Sequence, residues 1–441
     1  MRRIPLFLAV VVLLPPAARP QDWIRTGTGL GVEKVRLAVP EFQAPAGPAN
    51  AATLARVFNG TLWNDLEQAG IFEMVSKSFY PLAVPGSPRQ VQLEAWSNPP
   101  PNAAMVAFGN LALAGEDLAM QGWLYDVKNP ASPLVLGKQY REKATEQNAR
   151  LMAHRFANEI ILRLGGGIAG IAESKIYFIS SRTGNKEVWG MDYDGYGQRA
   201  VTRLGSIALS PKASPDGGRV AFTSYARGGA DLAVYSIELG RMVAFPRYAG
   251  TNSSPSWSPD GSKLAFSSSM RGDPEIFVAD SSGASPKRIT AFKGPDTSPV
   301  WNPKTGTQIA FVSGRSGLPQ IYTMDADGTN LQRLTDGGYA VSPAWSPNGQ
   351  FLAFSWIRNY GPGEPGGQDI YIMDLSSKQW VQLTHSGGRN DFPSWSADGR
   401  HLVYQSTRGG ATHIWTMLAD GSQPRQLTTS GSNTQPTWSP R

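Results

Sequence analysis

The 441-residue chain has no cysteine. No disulfide can form, and a processed N-terminus has no residue through which a lipid could be attached. Histidine is scarce: His154, His385, His401 and His413 share no metal-ligand spacing. No Gly-x-Ser-x-Gly elbow is present, so a serine hydrolase of the propeller-fused kind lacks its nucleophile. A Walker-type phosphate loop is missing too. No spacing brings two of the 34 acidic residues together as a catalytic pair. Basic residues are scattered, without the stripe of a nucleic-acid groove, and the net charge of +7 falls to +4 without Arg2, Arg3 and Arg19 of the N-terminal segment. Beyond that segment no apolar run is long enough to cross a bilayer. The sequence therefore points away from catalysis, cofactors, metals and nucleic acid.

What is present is a repeated phrase. Ser254-Pro255-Ser256-Trp257-Ser258-Pro259-Asp260-Gly261 returns around Pro299-Val300-Trp301, Pro343-Ala344-Trp345 and Pro393-Ser394-Trp395. A worn copy stands at Ser210-Pro211, and a last fragment at Gln435-Pro436-Thr437-Trp438. The first prolines are 44, 44, 44, 50 and 43 residues apart, a period that marks a β-propeller with one four-stranded blade per repeat. In the copy at 254, strand A is expected over Pro255–Ser258, B over Lys263–Ser267, C over Glu275–Ala279 and D over Lys287–Thr290. An Asp260-Gly261 turn joins A to B. Six C strands give six blades. The first blade opens on a B strand at Lys175–Phe178, whereas the last phrase has no B strand after it, so the C-terminal strand is expected to close the ring. The recurring Trp and Pro are read as blade packing, and the Asp-Gly pairs as turn chemistry rather than calcium ligands.

Ahead of the repeats, Arg2-Arg3, the apolar run Ile4–Leu14 and Pro15-Pro16-Ala17-Ala18 read as a secretory signal peptide over residues 1–20. Residues 21–34 are Gly/Thr-rich and read as a flexible arm. A small α/β domain is expected over 35–167. It has strands at Val35–Val39, Ile71–Val75, Met105–Phe108, Leu118–Leu124 and Leu134–Leu136. One helix carries Leu54, Phe58, Leu62 and Leu66 on a stripe after Asn50, and another runs from Ala149 to Leu164. The Gly165-Gly166-Gly167 hinge leads into the propeller, 168–441.

Each blade also has an arginine between strands B and C: Arg182, Arg227, Arg271, Arg315, Arg358 and Arg408. They either form a positive ring that steers an acidic partner, or each ties down its own loop. The blade with the 50-residue step has its extra length at 359–367, on the same face.

The chain resembles the TolB family, periplasmic propeller proteins of the Tol–Pal cell-envelope system. The resemblance rests on the leader, the small α/β domain, the segment Met191-Asp192-Tyr193-Asp194-Gly195-Tyr196-Gly197-Gln198 and the propeller phrases. It implies a non-enzymatic, monomeric periplasmic scaffold that supports outer-membrane integrity and constriction at division. Its propeller face would bind a Pal-like peptidoglycan-associated lipoprotein, with other outer-membrane proteins as further partners, and its arm would bind a TolA-like inner-membrane protein. The family's Pal-contact loops map onto Phe245–Gly250, with Tyr248 where the family commonly has His, and onto Asp296–Pro299, with Thr297. With Arg271 and Arg315 these make up the expected Pal-like site. Asp22, Trp23, Ile24 and Arg25 make up the TolA-like one, and they match the family's N-terminal segment only loosely. The alternative is a secreted propeller enzyme, a glycan or peptide lyase or hydrolase with its site in the channel.

Overall fold

A computed structural model describes residues 33–44, 49–360, 367–385 and 387–440. The leader, residues 21–32 of the arm with Asp22, Trp23, Ile24 and Arg25, and residues 361–366 of the insertion lie outside the described residues. No helix among the described residues is long and apolar enough to cross a membrane.

The N-terminal part is a five-stranded sheet in the order β2-β1-β3-β4-β5, built from β1 (Val35–Ala38), β2 (Phe72–Met74), β3 (Met105–Ala114), β4 (Asp117–Asp126) and β5 (Leu134–Lys143). Strand β1 runs parallel to β2 and β3, and the remaining pairs are antiparallel. Helices α1 (Ala49–Gln68) and α3 (Glu146–Leu164) share a core with the sheet, while the short α2 (Leu93–Ser97) brings Trp96 to a second apolar cluster. The expected stripe on α1 is buried: Leu54, Phe58, Leu62 and Leu66 are all at most 3% exposed. The N-terminus of α3 is capped by Thr145, whose Oγ1 accepts from Asn148 N, which satisfies one amide that has no partner inside the helix. Gly109 and Gly122 pair across β3 and β4. A Cβ on Gly109 would meet Phe42, and one on Gly122 would meet Phe156, so this bare patch lets the rings lie on the sheet.

The propeller has six four-stranded blades. Blade 3 shows the pattern, with A at Asn252–Trp257, B at Lys263–Ser268, C at Glu275–Asp280 and D at Lys287–Arg288. Strand D is shorter than expected because Thr290 leaves the ladder. Its hydroxyl accepts from Ile276 N at 2.9 Å and donates to the buried Glu275 at 2.6 Å. The ring closes as expected: Asn433–Trp438 is strand A of blade 1 and pairs antiparallel with Lys175–Thr183, Trp438 opposite Ile176. Indole nitrogens tie neighbouring blades. Trp257 donates to Lys212 O, Trp345 to Val300 O and Trp395 to Ala344 O, each at 3.1 Å.

Each strand A is bulged ahead of its proline. Ser210, Ser254, Ser298, Ser342, Phe392 and Gln435 all have φ between 51° and 54°, a left-handed conformation that only a surrounding structure can hold for residues with a side chain. Bonds between blades supply part of that hold: Ser254 N donates to Thr223 Oγ1 and Ser210 N to Gln435 Oε1.

Candidate partner-binding face

Strand A starts on the face that carries the D-to-A connections and the B-to-C loops, called the loop face below. The N-terminal domain is fastened to the other face. Asp65 of α1 is fully buried between His154 Nδ1 at 2.7 Å and the Tyr193 hydroxyl at 2.5 Å, and Arg150 binds Asp194 at 2.6 Å with its guanidinium over the Tyr196 ring. Burial raises Asp65 above the usual carboxylate range despite both hydrogen bonds. Burial also works against Asp194, but the hydrogen bond and charge of Arg150 win and hold it below that range. Tyr193 and Asp194 belong to the turn between strands C and D of blade 1, so the Asp-Tyr-Asp-Gly-Tyr segment is a docking element for the N-terminal domain. At blade 6, the fully buried Arg400 donates to Gly165 O at 2.8 Å, and His401 Nε2 lies 2.7 Å from Gln68 O. None of these junction roles was anticipated from the sequence. They join residues up to 333 positions apart, which no local pattern reveals.

The six loop arginines do not behave alike. Arg315 is largely buried, 2.7 Å from Asp296 and 2.7 Å from Ser313 Oγ. Arg182 binds Asn433 and Ser180 and covers the Trp189 ring. Arg227 contacts Asp231 and Leu232 O, Arg358 covers Trp356, and Arg408 covers Trp415. Arg271 is exposed and has no hydrogen bond or ion pair among the described residues. Arg315 thus follows the second of the two readings and ties down its own loop, because the buried Asp296 requires a cation beside it.

Tyr248, of the expected Pal-contact loop, is likewise held by its own surroundings. Its ring stacks on Phe266 at 5.3 Å, and its hydroxyl donates to Gly283 O in the next blade. Burial pushes its pKa up to about 12. Thr297 stands half-buried in strand A, directly before the channel-lining Ser298. Leu209, Ser253, Val341, Asp391 and Thr434 hold the same place in the other blades, all half-buried, so this ring marks the channel entrance. Asp391, its one acid, accepts from Ser342 Oγ, Ser355 Oγ and Phe392 N, and burial raises its pKa. Sequence reading passed over Asp391, although its register against Thr297 was there to be aligned.

A family model described as the TolB beta propeller domain matches residues 163–361 and 337–441. The chain belongs to the TolB family. The Tol-Pal system protein TolB of Desulfosudis oleivorans is 35% identical over 246 residues, covering 55% of this chain and 54% of that protein. The protein TolB homolog of Chlorobium chlorochromatii is 33% identical over 243 residues, covering 53% and 52%. The chain spans about half the length of the curated relatives it matches. In three dimensions it is similar to TolB from Acinetobacter baumannii, with a TM-score of 0.78 and 24% identity over 93% of this chain and 98% of that one. That likeness extends the TolB fold to the N-terminal domain as well as the propeller.

Proposed function

We propose that the chain is a non-catalytic periplasmic scaffold of the Tol–Pal system, exported by its N-terminal leader. Its loop face binds a Pal-like lipoprotein, and its arm, through Asp22, Trp23, Ile24 and Arg25, engages a TolA-like inner-membrane protein. Other outer-membrane proteins are further partners, and the assembly serves membrane integrity and constriction at division. The observation that supports this reading is the placement of the N-terminal domain. It is fastened to turns on the opposite face, so among the described residues nothing from that domain covers the channel entrance, Thr297 or the exposed Arg271.

The test titrates a soluble Pal-like domain by calorimetry and stopped flow. Arg271→Gln should slow association and weaken its salt dependence, because an exposed charge acts over a Debye length of about 8 Å at physiological ionic strength. Thr297→Ala should lower affinity with little change in melting temperature. Removing residues 21–34 should abolish capture of a TolA-like domain and spare the Pal-like one. Unchanged affinity in folded Arg271→Gln and Thr297→Ala variants would move the interface off this face.

A further inference from the structure

The six A strands surround the propeller axis and leave a narrow cavity of ≈ 50 Å³. One water takes roughly 10–15 Å³ of such space, so the cavity holds about four waters or one small polyatomic ion. Lys212 of blade 2 is the one ionisable side chain among the residues that line it. Ser256, Val300, Ala344, Ser394 and Thr437 occupy the same register in the other blades, so the ammonium breaks a pattern of small side chains. Burial alone pushes its pKa down to about 8, with no neighbouring charge acting on it. At neutral pH it is therefore mostly a cation, with no ion-pair partner among the described residues.

Hydroxyl donors stand in the same wall. Ser210, Ser254 and Ser298, at the bulges of blades 2, 3 and 4, line the cavity, and their Oγ atoms have no hydrogen-bond partner among the described residues. Ser342 differs, because its Oγ is given to Asp391 at 2.8 Å. Asp391 lies one level nearer the loop face and already accepts three hydrogen bonds. One side of the channel is thus lined by Lys212 and by three serines with uncommitted hydroxyls, around a space the size of a small ion.

We propose that the propeller channel binds a small tetrahedral oxyanion of the phosphate or sulfate class, held by the Lys212 ammonium and the hydroxyls of Ser210, Ser254 and Ser298. Charge-assisted hydrogen bonds in a site that excludes most water are the strong kind. A lysine suits such a ligand because it acts as a point charge and needs no bidentate fork. The bound ion neutralises the desolvated ammonium and links three blades at their inner strands. The proposal does not depend on the partner assignments above.

The experiment follows thermal unfolding in inorganic phosphate or sulfate against chloride at matched ionic strength. Phosphate should raise the melting temperature of the unmutated protein saturably, as a ligand specific to the folded state does. Lys212→Ser, which installs the residue that blades 3 and 6 carry, should melt no lower in chloride and lose the phosphate response. Ser254→Ala should weaken the apparent affinity about 5-fold, the scale of one hydrogen bond. In the unmutated protein, phosphate should slow acetylation of Lys212 by acetic anhydride several-fold, mapped by mass spectrometry, and leave the other lysines unchanged. An equal phosphate response in Lys212→Ser, or no protection of Lys212, overturns the site. Acetate or a peptide C-terminus acting as well as phosphate overturns the tetrahedral class.

Discussion

Replacing Arg400 by alanine should uncouple the N-terminal domain from the propeller. The side chain is fully buried, its Nη2 donates to Gly165 O at 2.8 Å, and Asp398 lies 3.8 Å from its Nη1. Removing one member of a buried charged group typically costs 3–5 kcal/mol. The low end applies here, about 3 kcal/mol, because Asp398 keeps Ser396 Oγ, the Arg400 amide and His401. Where that loss appears depends on what melts together. Unfolding entropy near 2.1 cal/mol/K per residue makes 3 kcal/mol worth about 3 °C for the whole chain, but about 11 °C for a unit of roughly 130 residues. Scanning calorimetry should therefore show the N-terminal domain leaving as a separate transition about 10 °C lower, with the propeller transition nearly unmoved. Arg400→Lys should give an intermediate trace, keeping the charge and losing the planar fork. A single transition within about 1 °C of the unmutated protein would refute the assignment of Arg400 as a principal tie among those that join the domains.

Tyr248→Phe should cost about 1 kcal/mol through the lost bond to Gly283 O, and Tyr248→Ala about 3–5 kcal/mol through the emptied place on Phe266. Chemical denaturation measures both, and equal stability of the three proteins would show a free side chain. Removing residues 434–441 should forfeit about 4–6 kcal/mol for the buried Trp438 alone and produce aggregation on heating, read by light scattering. A truncated chain that melts like the full-length one would contradict the closure. Acid should loosen the domain junction, because Asp194 and Asp398 are held below the usual carboxylate range. The stability they lend is present above that range and is lost as pH falls through their lowered values, while Asp65, raised, changes in the opposite sense. Melting temperature should thus fall below about pH 4, less steeply in Arg150→Ala, and a parallel fall in that variant would exclude Asp194 as a contributor.

Blade number, strand order and ring closure were legible because one phrase repeats at near-constant spacing and strands B and C alternate at period two. The N-terminal helices were legible from their apolar stripes. Strand β5 reads as only three residues, since its outer part carries Lys138, Arg141, Glu142 and Lys143 on an exposed edge, yet it continues to Lys143. The loop arginines look equivalent in sequence and are separated by a residue elsewhere. Arg315 faces Asp296 at the start of strand A. The corresponding residue beside Arg271 is Asn252, whose Oδ1 accepts from Ser268 and whose amide binds the loop carbonyls of Tyr248, Ala249 and Gly250. Tyr248 stands in a loop whose sequence shows no partner for it, and the acceptor that holds it, Gly283, belongs to the next blade.

The seam of the ring also sets an order of events in time. Arg182 and Asn433, which meet across it, are 251 residues apart, and bringing such distant points together costs about 5 kcal/mol of chain entropy. Blades 2 to 6 can stack one upon another as they emerge, by contacts between neighbours. Blade 1 has to wait as three strands until the last of the ring has been made and delivered. During that interval its inner edge is a template for any other extended strand. Closure therefore comes late in folding, and how firmly Asn433–Trp438 is seated against Lys175–Thr183 sets how readily the seam reopens.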